Sequence, residues 1–464
     1  MVEMSANTAI INIDKELCTG CKRCSEVCPV DAIEGNEGEV QSINADKCIL
    51  CGQCVQICKG YASIYEEIPT PFSKKMHERG MLNTVKEPIF AAYNMGQVKK
   101  VNELLDSKDL LKVVQCAPAV RVALSEEFEM PLGTLTPGKM AAALRRLGFD
   151  KIYDTNFAAD LTIMEEGTEL IKRITEGGVL PMFTSCCPAW VKYLEQTNPE
   201  LLANLSTCKS PQQMGGAIIK TYGAKINGVN PSRIYSVSVM PCTCKAFEAE
   251  REEMQDSGYR DVDVAITTRE LAQLIKSRNI NFLDLPEEEF DNPLGAYSGA
   301  GTIFGVTGGV MEAALRTGYE FITKQSIPNV DLTEIRGEEG FRTTEVQVGD
   351  LKLKVGIVSG LKNVVPLIER IKAGECDLHF VEVMTCPEGC VSGGGQPKLI
   401  FEQDKKVAYE NRKAGLYKHD SALEVRKSHE NEGVKVLYEE FLGEPLSHKS
   451  HELLHTRYKS RVNR

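Results

Sequence analysis

Eight of the chain's seventeen cysteines fall within its first 58 residues, in two runs of one pattern, and no other feature limits the fold as tightly. CTGCKRCSEVCP supplies Cys18, Cys21, Cys24 and Cys28, and CILCGQCVQICK supplies Cys48, Cys51, Cys54 and Cys58, each as CxxCxxCxxxC. Three thiolates at this spacing wrap one iron–sulfur cube, while the fourth, carried off by the following helical turn, reaches the other cube. The pattern therefore assigns Cys18, Cys21, Cys24 and Cys58 to one 4Fe-4S cluster and Cys48, Cys51, Cys54 and Cys28 to a second. A pair of zinc sites competes poorly, because no histidine is interleaved among the eight thiols.

The remaining length is large: 464 residues leave room for two or three domains and a sizeable core. Apolar content of 42% and charged content of 26% exclude a disordered or fibrous chain. No apolar run approaches membrane-spanning length, and the opening MVEMSANTAIINIDKE lacks the basic-then-apolar order of a secretory leader, so the expected location is cytoplasmic and no membrane partner is expected. A net charge of -11 argues against nucleic acid as a partner. In a reducing compartment the other cysteines point to metal ligation or thiol chemistry rather than to a disulfide framework. The basic end HELLHTRYKSRVNR reads as a solvated tail or a docking helix, its histidines not as ligands.

Residues 7 to 66 resemble the bacterial two-cluster ferredoxins, with Lys59 where such proteins often carry proline after the last cysteine, a departure that touches loop shape rather than ligation. The expected organisation is a small α+β ferredoxin-like domain at 1–66, a connector at 67–109, and a catalytic domain at 110–464. Within the connector, EEIPTPFSKK reads as a linker and PIFAAYNMGQVKKVNELLDSK has helical spacing. From residue 110 onward, LLKVVQCAP, GVLPMFTSCCP, RIYSVSVMPC and LHFVEVMTC are short apolar runs that each end in a cysteine-bearing turn, and they read as buried strands. Helical patterns such as GKMAAALRRLGF, LTIMEEGTELIKRI and TRELAQLIKSRN alternate with them. The alternation predicts an α/β domain of largely parallel sheets, whose ligands sit beyond the carboxyl ends of the strands.

Three of the cysteine turns, TSCCPAW, MPCTCKAFE and EVMTCPEGCVSGGGQP, closely resemble the signatures of the iron-only (FeFe) hydrogenases. DTNFAADLTIMEEGTEL, KSPQQMGG, SGAGTIFGVTGGVMEAALR and VRKSHEN extend that likeness over residues 110 to 464. The resemblance implies two sheet-containing lobes around a buried H-cluster, a 4Fe-4S cube joined through one cysteine sulfur to a two-iron unit with carbonyl, cyanide and an azadithiolate bridge. Carried over residue by residue, it implies Cys187, Cys242, Cys386 and Cys390 as the cube's ligands, with Cys390 as the bridge. It also implies Lys245 as hydrogen-bond donor to a cyanide, and Pro118, Gln212, Met240 and Met384 as pocket residues. Glu166, Glu169 and Arg173 fall on one helical side, a spacing that alone reads as a surface ion-pair ladder. With the resemblance, Cys186, Glu166, Ser206 and Glu169 become a proton-transfer chain, and Arg173 is expected with them among the catalytic residues. Cys116 is expected in the two-iron pocket, Cys376 in packing, and Cys244 and Cys208 as small buried hydrophobes, with Cys244 also tuning hydrogen bonds around the cube.

The implied enzyme interconverts dihydrogen with two protons and two electrons. By the same resemblance, the N-terminal cubes exchange electrons with a ferredoxin or flavodoxin-type carrier, and separate maturation proteins supply the two-iron unit. GVTGGV and SGGGQP lack the spacing of a dinucleotide fingerprint, so no nicotinamide cofactor is expected on this chain. Two alternatives share the fold: a hydrogenase-like iron–sulfur assembly protein, disfavoured by retention of Cys186, Lys245, Glu166 and Glu169, and a dihydrogen or redox sensor, disfavoured by the absence of a signalling domain.

Overall fold

The computed structural model describes residues 10–62, 71–82, 88–337 and 340–462, so the boundary expected at residue 66 lies outside the described residues. Six short strands open the chain: β1 Ile11–Ile13, β2 Ile33–Glu34, β3 Ser42–Ile43, β4 Tyr61–Ala62, β5 Ile89–Phe90 and β6 Ala92–Asn94. They form antiparallel ribbons, β1 with β6, β2 with β3 and β4 with β5. The helical spacing expected across residues 88–108 is therefore realised only at Val98–Leu105. PIFAAYN is drawn into strands because β1 and β4 offer it backbone partners that would otherwise stay unpaired. This segment also reaches the N-terminal thiols, since the Ala92 N–H donates to Cys58 Sγ at 3.3 Å.

Eight further strands are β7 Leu111–Cys116, β8 Lys151–Asp154, β9 Met182–Phe183, β10 Ile234–Met240, β11 Val264–Thr267, β12 Phe341–Val348, β13 Leu351–Ser359 and β14 Phe380–Met384. One sheet runs β11-β10-β7-β8, entirely parallel, and the other runs β12-β13-β14-β9 with only the β12 edge antiparallel. The expected strands end where the cysteine turns begin. The β12–β13 hairpin was not expected: it turns at Gly349 with φ near +59°, and β12 alternates polar and apolar residues on a half-solvated edge, which gives no buried apolar run to detect.

The helix Thr155–Glu176 springs from the end of β8, where the Asp154 carboxylate accepts the Asn156 N–H at 2.9 Å and caps it. Most of its first four turns are buried, including Asp160. Asp160 accepts the Ser298 N–H at 2.8 Å, Ser298 Oγ at 2.6 Å, Ser428 Oγ at 2.8 Å and Asn431 Nδ2 at 2.8 Å. Burial pushes its carboxyl up to about 6 despite these donors. This node explains the SHEN segment, whose Ser428 and Asn431 pin the C-terminal stretch to the central helix. Beyond it, the helix His448–Leu454 docks and Cys208 bridges His455, so the basic end is a docked element rather than a solvated tail. No helix among the described residues is long and apolar enough to cross a membrane.

Replacing Asp160 by Ala leaves several buried donors unpaired and should destabilise the protein by roughly 3 kcal/mol or more. Asp160→Asn, which keeps an acceptor oxygen, should lose less. Denaturant midpoints check both, and an unchanged midpoint for D160A would show that the node contributes nothing.

Candidate metal centre

The carboxyl ends of the two sheets meet at a cavity. Three chain segments deliver its four ligand sulfurs: Cys187 stands at the N-cap position of the helix Pro188–Thr197 after β9, Cys242 follows β10, and the stretch after β14 carries both Cys386 and Cys390, the latter opening a single 3-10 turn. Proline at the first helical position fixes the chain's exit from Cys187. Cys186, Pro118, Gln212, Met240, Lys245 and Met384 line the same cavity. Cys116 does not; it packs into the core beside Val239 and Met240, and its neighbours Ala117 to Ala119 line the wall instead. Thr155, Ala159, Phe304 and Thr385 also line it; they lie within the motifs that carry the resemblance without being singled out there, and Cys187 Sγ stands 3.3 Å from Thr385 Oγ1.

The donor set is all sulfur. Among the described residues that line the cavity there is no carboxylate and no imidazole, and Lys245 is the charged group. Burial pushes the thiols of Cys242 and Cys390 up to about 12 and that of Cys386 well above its usual range, so thiolates here call for a metal to bind them. Soft thiolates converging in an apolar, water-poor pocket fit an iron–sulfur cube and do not fit an oxygen-ligated cation.

Lys245 is held in place by a buried polar cluster. Its Nζ donates to the Cys186 carbonyl at 3.1 Å, to Ser210 Oγ at 2.8 Å and to Glu248 Oε2 at 2.8 Å. Burial works against the ammonium, but Glu248 outweighs it and keeps the pKa above the ordinary lysine value. Gln212 Nε2 donates to Glu248 Oε2 at 3.0 Å while its Oε1 accepts Ser238 Oγ at 2.8 Å, so Gln212 braces the counter-ion. The i,i+3 spacing of Lys245 and Glu248 could have revealed this pair in the sequence.

A second line of polar groups leaves the cavity at Cys186, whose thiol is pushed well up by burial and by Glu166. Burial first and Glu169 second raise Glu166 to about 8, with Ser206 and the Ser185 backbone pulling the other way, so Glu166 carries a proton at neutral pH. Ser206 Oγ donates to Glu169 Oε2 at 3.0 Å. Arg173 donates to Glu169 Oε1 at 2.6 Å and to the Leu205 carbonyl at 2.7 Å, and its side chain is partly exposed. The structure thus brings Cys186, Glu166, Ser206, Glu169 and Arg173 into one file. It also adds Thr207, whose N–H and hydroxyl reach Glu169 Oε2 at 3.0 and 3.1 Å.

The N-terminal thiols gather in two groups. Cys18, Cys21, Cys24 and Cys58 line one small cavity, where burial and the other three thiols raise Cys24 to about 11. Cys28, Cys48, Cys51 and Cys54 form the second group, with burial and the neighbouring thiols pushing Cys54 well up. Backbone N–H groups of Gln41 and Ala32 donate to Cys18 and Cys28 at 3.4 and 3.3 Å, as thiolate ligands require. The second group abuts the cavity described above: Cys242 is felt at Cys51, and Cys51 at Cys386. Thr243 Oγ1 donates to the Leu50 carbonyl at 2.7 Å, and Gln56 Nε2 donates to the carbonyls of Gly393 and Gln396 at 3.1 and 2.8 Å. Backbone meets backbone at Gly394, where an added Cβ would stand 2.7 Å from Gly52 Cα. Cys244 lies at this junction, packed with Phe247, Cys51 and Cys54, and Cys376 packs at the rim of the same cluster. Cys208 is buried 3.9 Å from Glu169 Oε2.

Residues 111–394 match the family model described as iron only hydrogenase large subunit, C-terminal domain; residues 405–461 match iron hydrogenase small subunit, and residues 10–59 match a 4Fe-4S dicluster domain. The chain is 44% identical to the NADP-reducing hydrogenase subunit HndD of Solidesulfovibrio fructosivorans, over 97% of its own length and 75% of that protein. It is 41% identical to iron hydrogenase 1 of Clostridium pasteurianum, over 93% of this chain and 78% of the relative. A cytosolic Fe-S cluster assembly factor of Xenopus tropicalis is 30% identical over 79% of this chain and 77% of its own length. Among solved structures, a variant of the FeFe-hydrogenase of Chlamydomonas reinhardtii superposes with a TM-score of 0.70 at 42% identity, covering 79% of this chain and all of that one.

The seam at Gly394 gives a direct test. Gly394→Ala forces apart backbone that cannot yield as a flexible side chain does, at a cost of about 1–3 kcal/mol. Limited proteolysis should release the N-terminal unit sooner than in wild type; equal protection would show that the seam tolerates a methyl group.

Proposed function

The chain belongs to the iron-only hydrogenases and is an enzyme of that family, and on this premise we propose how its residues divide the work. The family's cofactors, two N-terminal 4Fe-4S clusters and the H-cluster, are also those of this chain. Cys187, Cys242, Cys386 and Cys390 hold the cube of the H-cluster, and the observation that carries this reading is the convergence of these four remote thiols, with Cys186 and Lys245, on one sulfur-lined cavity. When bound, the H-cluster supplies the metal at which dihydrogen is interconverted with protons and electrons.

The protein's own groups handle the rest. Lys245, fixed by Glu248 and Ser210, directs an ammonium to an anionic ligand of the two-iron unit. Met240, Met384 and Pro118 exclude water from the pocket. Cys186 exchanges a proton at the cavity wall, and Glu166, Ser206 and Glu169 pass it to the partly exposed Arg173 side. Electrons cross the seam between the Cys28, Cys48, Cys51, Cys54 cluster and the Cys242 and Cys386 side of the cavity, and the Cys18, Cys21, Cys24, Cys58 cluster exchanges them with a ferredoxin or flavodoxin-type carrier in the cytoplasm. Separate maturation proteins deliver the two-iron unit. Likeness to assembly factors raises a non-catalytic reading, against which the file of Cys186, Glu166, Ser206 and Glu169 weighs.

Infrared spectra of the matured protein decide between the two: carbonyl and cyanide bands are expected, and their absence would overturn the hydrogenase reading of this site. Cys186→Ala should keep those bands yet lose roughly hundredfold or more in turnover, whereas Cys187→Ala should fail to assemble the cluster. Identical behaviour of the two variants would refute the division between neighbouring thiols. Because Glu166 is protonated below about 8, turnover should show an inflection as pH rises through that value and strips the carboxyl of its proton. The inflection should vanish in Glu166→Gln, as film electrochemistry over a pH series can show.

A further inference from the structure

Glu169 has a hydrogen-bonded neighbour that the file of groups above leaves unused. Thr207 Oγ1 stands 3.1 Å from Glu169 Oε2 and 2.8 Å from His455 Nδ1, and its single proton can go to one or the other. His455 is 6% exposed and sets its other nitrogen 3.1 Å from Glu165 Oε2. Glu165 is fully buried, and it accepts Tyr438 OH at Oε1 at 2.5 Å and the Leu446 N–H at Oε2 at 2.8 Å. A carboxylate so engaged takes a third donor from the ring. The neutral imidazole therefore carries its hydrogen on Nε2, and the Nδ1 lone pair faces Thr207. Hydroxyl, imidazole and carboxylate stand here in the order that makes an imidazole a base for a hydroxyl proton, with the carboxylate as its orienting group.

We propose that His455, oriented by Glu165 and reached through Thr207, is a side branch of the proton path that takes a proton from Glu169 and stores it inside the protein. The branch rests on the relay role given to Glu169 above. Dihydrogen yields two protons, whereas a file of single groups passes one at a time, so a store beside the outer carboxylate clears the file for the second. In the transfer, protonated Glu169 gives its proton to Thr207 Oγ1 while the hydroxyl hydrogen of Thr207 moves to His455 Nδ1. Glu169 ends as a carboxylate, Thr207 is again an alcohol, His455 is an imidazolium beside the Glu165 carboxylate, and no electron moves.

The surroundings suit this traffic. Cys208 Sγ lies 4.0 Å from Nδ1, a buried thiol pushed well up by burial and by Glu169, and it therefore stays protonated. His451, exposed on the helix that His455 follows, sets its ring tilted against that of His455 at 4.4 Å between centroids. Burial and His455 lower its pKa, so it brings no fixed positive charge to the ring at neutral pH. Arg173 binds Glu169 through Oε1, and Lys172 on the same helix is exposed, which leaves Oε2 to Ser206 and Thr207.

The test uses the fully loaded enzyme carrying Thr207→Val, Thr207→Ser, His455→Gln, the double variant T207V/H455Q, and Glu169→Gln. T207V and H455Q should each slow turnover about fivefold with a larger solvent isotope effect, against roughly hundredfold for E169Q, while T207S stays close to wild type. The double variant should be no slower than either single one, because both break the same branch. A second readout needs no turnover: on the chain lacking the two-iron unit, the infrared carboxylate stretch of Glu169 should move in T207V and H455Q alike. Unchanged turnover, isotope effect and carboxylate band in T207V and H455Q, with E169Q still slow, would overturn the branch and leave the relay standing. Normal turnover in E169Q would overturn the relay and the branch together.

Discussion

Everything in this molecule answers to the difficulty of bringing four thiolates from three distant parts of the chain into one apolar hole. Each thiolate is costly there without iron, and none is near another in sequence apart from Cys386 and Cys390. Two sheets of largely parallel strands solve the geometry, because parallel strands end together and their turns converge on one edge. The central helix from Thr155 and the C-terminal segment then hold the lobes in register through the Asp160 node.

On the proposed function, protons and electrons reach this hole through different materials. The proposed proton route runs along side chains of one long helix and the coil at Ser206, with a protonated Glu166 inside and an arginine-bound Glu169 outside. The proposed electron route needs no titrating group; it needs short distance, and the glycine backbone at Gly52 and Gly394 keeps the two units close. Cys242 and Thr243 sit at the meeting point, one lining the cavity and the other gripping the Leu50 carbonyl.

What the sequence disclosed followed the range of the interactions. The N-terminal thiols were readable because cluster ligation imposes a local spacing, and the same holds for the apolar strands that end in cysteine turns. The cavity residues were legible by resemblance, and the structure brings them to one wall, with Cys116 the exception. Ser185 and Glu165 lay inside motifs that were read for other residues, and Thr207 and His455 carried no pattern of their own, since a threonine in coil and a histidine in a basic terminus say nothing until the fold brings residue 455 beside residue 207. PIFAAYN misled for a related reason: its apolar spacing suits a helix, and only the strand edges of a remote segment decide otherwise.

The side-chain-free seam at Gly52 and Gly394 also bears on how such enzymes can be rebuilt. An electron-delivering unit that is to be exchanged for another must present a bare backbone at this spot, together with a carbonyl placed to receive Thr243. Matching surface charge would not compensate for a single extra carbon there. A foreign redox module transplanted here has to satisfy a few atoms of main chain, glycine at that one position first among them.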